Sequence, residues 1–111
     1  MSRHYAAAGA VLDRTVSRPV IVVDDLAHLR GPSLGTITLP VALDWTPRDG
    51  YDLSRPAAVR SLYQVVLREA RTEADIETYL NADVLASVWE SLTLPAVVRQ
   101  FWEETHPSLV R

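Results

Sequence analysis

The sequence predicts an α+β fold, mostly α, in which a short N-terminal β element is followed by a compact bundle of about four helices. Three observations carry that prediction. A β-branched run, Val20-Ile21-Val22-Val23, and an alternating one, Thr36-Ile37-Thr38-Leu39, both have strand length and both lie before residue 50. From Ser54 onward apolar residues recur at three and four spacing, the signature of an amphipathic helix. The punctuation divides at the same place. Pro19, Pro32, Pro40, Pro47 and all four glycines fall within the first fifty residues, whereas Pro56 and Pro95 stand where helices begin and Pro107 in the tail. With 111 residues, 48% hydrophobic and 23% charged, the chain reads as a single domain over 1–111: 1–10 a frayed end, 11–53 rich in strand and loop, 54–106 helical.

Taken in order, Val20–Val23 and Thr36–Leu39 are the two expected strands. Between them Asp24 or Asp25 is placed to cap one helical turn, Leu26 to Leu29, which Gly31-Pro32 stops. Residues 41–53 read as an ordered loop with Trp45 and Tyr51 as apolar anchors and Asp49-Gly50 as a turn. Ser54 is the expected cap of the first long helix, whose face is Val59, Leu62, Tyr63, Val66, Leu67 and Ala70. Thr72 and Asp75 have capping-box spacing and open a second, short helix carrying Ile76, Tyr79 and Leu80 and ending near Asn81. Val84, Leu85, Val88, Trp89 and Leu92 form a third stripe. Pro95 opens a fourth helix with Val98, Phe101 and Trp102.

The chemistry the chain lacks narrows its function. No cysteine is present, which excludes disulfides and thiolate chemistry and suits a cytoplasmic location. All eleven basic residues are arginine, which excludes Schiff-base lysine chemistry and a P-loop lysine. The run Val20–Val23 is far short of the roughly 20 apolar residues that span a bilayer, and the N-terminus has no signal-peptide pattern, so no membrane is expected. His4, His28 and His106 are scattered without metal-ligand spacing, and no serine stands in a nucleophile-elbow context. Asp13, Asp24, Asp25, Asp44, Asp49 and Asp52 all adjoin expected turns or helix starts, where aspartate bonds locally to the backbone. Neither a catalytic constellation nor a cofactor site is expected.

Two surfaces remain as candidates. On the first helix Arg60, Gln64, Arg68 and Arg71 follow one another at four, four and three spacing, with Arg55 extending the basic edge. Such a row suits phosphate or an acidic partner. The last helix carries Trp102, Glu103 and Glu104, an acidic and aromatic end. With Trp45, Trp102 is an expected anchor for a protein contact. Eleven basic against fourteen acidic residues give a net charge of −3, which argues against non-specific binding to nucleic acid.

The order of the phrases Val20–Leu26, Gly31–Thr36, Leu39–Trp45, Tyr51–Ser54, Leu62–Glu69, Leu94-Pro95 and Phe101–Glu103 resembles a group of small actinobacterial proteins associated with a following gene for a nucleotidyltransferase-like toxin. The likeness runs over about residues 11–109. It implies an antitoxin that binds and silences the product of the adjacent gene, and it carries over no site residues. The alternative expectation is a small DNA-binding regulator that uses the arginine row, with Arg60 and Arg68 at its centre.

Overall fold

The clearest periodic stretch of the sequence forms the longest helix. In the computed structural model, which describes residues 19–44 and 50–110, α1 spans Pro56–Glu69 and buries Val59, Leu62, Tyr63, Val66 and Leu67 along one face. Proline at the first helical position costs nothing, because the N–H it lacks would have no intrahelical partner. Ser54 does not cap this helix. The cap position belongs to Arg55, which makes no side-chain bond, while the Ser54 hydroxyl and N–H both donate to Asp52 Oδ1 at 2.7 and 2.9 Å. The local turn built on Asp52 claims the serine before the helix can use it.

Helix α2 (Glu73–Tyr79) starts from the expected capping box: the Thr72 hydroxyl accepts from Asp75 N, and the Asp75 carboxylate accepts from Thr72 N. Asn81 then caps α3 (Ala82–Val88), its Oδ1 accepting from Asp83 N and Val84 N at 3.0 and 3.1 Å. A 3-10 turn, Trp89–Ser91, extends α3, and α4 (Ala96–Thr105) follows Pro95. Further 3-10 turns lie at Leu26–His28, where Asp25 accepts from Ala27 N at 2.8 Å, and at Pro107–Leu109.

The β element differs in part from the expected one. Strand β1 (Thr36–Ile37) pairs antiparallel with β2 (Tyr51–Asp52), so the alternating run does supply a strand and its partner comes from the stretch expected to be loop. Gly50, at φ 133°, leads into β2 in a backbone conformation closed to other residues.

Val20–Val23 forms no strand. Val20, Val22 and Val23 are buried in the core. Carbonyls along the run are met by side chains from α4 and its C-terminal end: Trp102 Nε1 donates to the Ile21 carbonyl at 3.2 Å, and Nε2 of His106, the residue that caps the helix, lies 2.6 Å from the Val23 carbonyl. A β-branched run needs a partner of matching register to become a strand. Here it is packed against helices instead.

Candidate functional site

The aromatic end of α4 faces inward. Trp102 is fully buried (0% exposed), its ring 6.3 Å from that of Trp89 and 5.6 Å from the imidazole of His106. Its polar edge is satisfied by the Ile21 carbonyl, so the expected contact aromatic is a core residue. Trp102 shares its face of the helix with Val98, four residues earlier and also buried.

Glu103 is half-buried. Its Oε2 accepts from Trp89 Nε1 at 2.9 Å and from Arg99 at 3.4 Å. The Arg99 guanidinium lies 5.0 Å from the centre of the Trp89 ring and also donates to the carbonyls of Trp89 and Leu92. This clasp closes the end of the Trp89–Ser91 turn onto α4. Sequence reading missed Arg99, although its four-residue spacing to Glu103 was a visible signal. Glu104 is exposed and accepts from Gln100 Nε2 at 3.0 Å. Trp45, the other expected anchor, lies outside the described residues, as do Asp13, Asp49 and His4.

The arginine row is uneven. Arg68 is exposed and pairs with its neighbour Glu69 at 3.1 Å, while Arg60 is half-buried. Gln64, midway along the row, is turned to the loop before α4, where its Oε1 accepts from Thr93 N at 2.7 Å. The guanidinium groups of Arg60 and Arg71 make no ion pair among the described residues.

The aspartates sit in local structure. Asp25 caps the first 3-10 turn, Asp44 accepts from the Tyr51 hydroxyl, and Asp52 holds Ser54. Hydrogen bonds from the backbone and hydroxyl of Ser54, with help from the nearby Arg55 charge, lower the pKa of Asp52 below the ordinary carboxylate value. His28 is exposed, 3.8 Å from the Glu77 carboxylate. Among the described residues no three His, Cys, Asp or Glu side chains are grouped so as to hold a metal ion.

A second charge pattern emerges once the helices are placed. From Thr72 to Val98, through α2 and α3, the chain carries Glu73, Asp75, Glu77, Asp83 and Glu90 and no arginine or histidine. Asp83 and Glu90 are exposed; Glu73, Asp75 and Glu77 are half-buried. Nearby, Gly31 fits against the α2–α3 connection: Arg30 N donates to Glu77 O and Gly31 N to Leu80 O, at 2.9 and 2.8 Å. Three residues further on, Leu34 stands 79% exposed. At an extended reach of roughly 3.5 Å per residue, it lies within about 11 Å of Gly31. Val41, in the loop after β1, is 75% exposed.

Among the described residues no helix is long and apolar enough to cross a membrane. No family model, curated protein or solved structure matches the chain.

Proposed function

We propose that this chain is a non-enzymatic protein-binding module of the cytoplasm, the antitoxin that binds and neutralises a nucleotidyltransferase-like toxin encoded by the adjacent gene. The observation that carries the reading is the acidic stretch from Thr72 to Val98, five carboxylates in a sequence without arginine or histidine, with the exposed Leu34 three residues along the chain from the Gly31 that packs on the α2–α3 connection. An enzyme that transfers nucleotides to RNA needs a basic groove for its substrate. An acidic surface with an aliphatic contact beside it suits such a groove by charge complementarity. The order of sequence phrases supports the same partner. Within the described residues the aromatic N–H groups, the buried histidine and several aspartates already serve local structure, which favours binding over turnover.

The test is expression with and without the downstream neighbour, followed by size exclusion with mass measurement and a growth assay. A stable complex that relieves growth arrest is expected; separate elution together with no rescue would remove the reading.

One observation favours DNA binding as a second reading: Arg60 and Arg71 have no ion-pair partner among the described residues. That reading expects salt-sensitive binding to the protein's own promoter, weakened by Arg60→Ala with Arg68→Ala. Unchanged binding by the double variant would dismiss the row.

A further inference from the structure

We draw no further inference here: the strongest candidate, the apolar cavity of about 310 Å³ between Pro19, Ile21, Ala70 and Arg71, opens where the described chain begins, and nothing in the structure shows what covers it.

Discussion

Tyr63 shows how one buried polar atom ties the helices together. Its ring belongs to the apolar face of α1, yet its hydroxyl accepts from Asn81 N at 2.9 Å, at the start of α3. Burial raises the pKa of the phenol above its ordinary value of 10.0, and the Asn81 hydrogen bond opposes that rise in part. The sign of the pH effect follows. Above pH 10 the unfolded chain loses this proton while the folded chain keeps it, so stability falls as pH rises from there through the raised folded value. Tyr63→Phe should remove this alkaline component, leaving a shallower fall in melting temperature between about pH 9.5 and 11. At neutral pH it should cost roughly 1–3 kcal/mol, because the Asn81 N–H loses its acceptor. Equal alkaline slopes for the variant and the parent would show that Tyr63 does not carry the effect. Gly31 is constrained by space. A Cβ there would sit 2.6 Å from the Leu80 nitrogen and closer still to the Tyr79 carbonyl, and both are backbone atoms held in the α2–α3 connection. Gly31→Ala should therefore destabilise by about 2–3 kcal/mol in chemical denaturation, at the upper end of overpacking costs. A change within 0.5 kcal/mol would mean that the connection yields.

At the scale of elements, the contact between α4 and residues 20–23 is the least conventional feature of the fold. Trp102 and His106, four residues apart on one face of the helix end, each meet a carbonyl of the same short stretch, Ile21 and Val23. Trp102→Phe and His106→Phe each keep an aromatic ring and remove the donor. Each should cost about 1–3 kcal/mol by leaving a carbonyl without its partner. Because both act on one segment, the double variant should lose less than the sum of the two. Amide exchange should quicken at residues 20–24 while α1 keeps its protection. Strict additivity with uniform exchange would show that the two bonds do not act together. This contact also marks how far the sequence could be read. The helices, the Thr72–Asp75 box and the Asp25 cap were legible because each depends on residues within a few positions of one another. The fate of Val20–Val23 was not, because β-branched residues favour a strand only where a partner strand exists, and the partner here is a helix some eighty residues away in the chain. Strand β2 was hidden for the opposite reason. Tyr51-Asp52 is too short to show alternation, and only its pairing with Thr36-Ile37 defines it. Ser54 satisfied the rule for a cap and was claimed by a neighbour, Asp52, that satisfied the rule for a turn.

For the whole molecule, the proposed function rests on the division of charge along the chain more than on any single side chain. Arginines cluster from Arg55 to Arg71, carboxylates alone occupy Thr72 to Val98, and the net charge of −3 hides the separation. Of the candidate residues, Trp102 was misplaced because a tryptophan late in an amphipathic helix fits a core and an interface equally well in sequence, and only packing separates the two. The acidic stretch was legible in principle, since it requires only noticing where arginine stops. If the acidic stretch from Thr72 to Val98 meets a basic groove, as proposed, neutralising exposed carboxylates there should weaken the complex without unfolding the chain. Asp83→Asn and Glu90→Gln are suited to this, since both side chains are exposed and neither substitution changes shape. Together they should leave the melting temperature within a few degrees of the parent, apart from the few tenths of a kcal/mol that Asp83 contributes at the start of α3. Affinity for the co-expressed product of the adjacent gene, the partner proposed above, should fall by about tenfold or more, mainly through slower association, and its dependence on salt should flatten. Parent-like affinity and salt dependence in this variant, with the complex intact, would move the interface to the arginine row of α1, where Arg60→Ala should then have the larger effect.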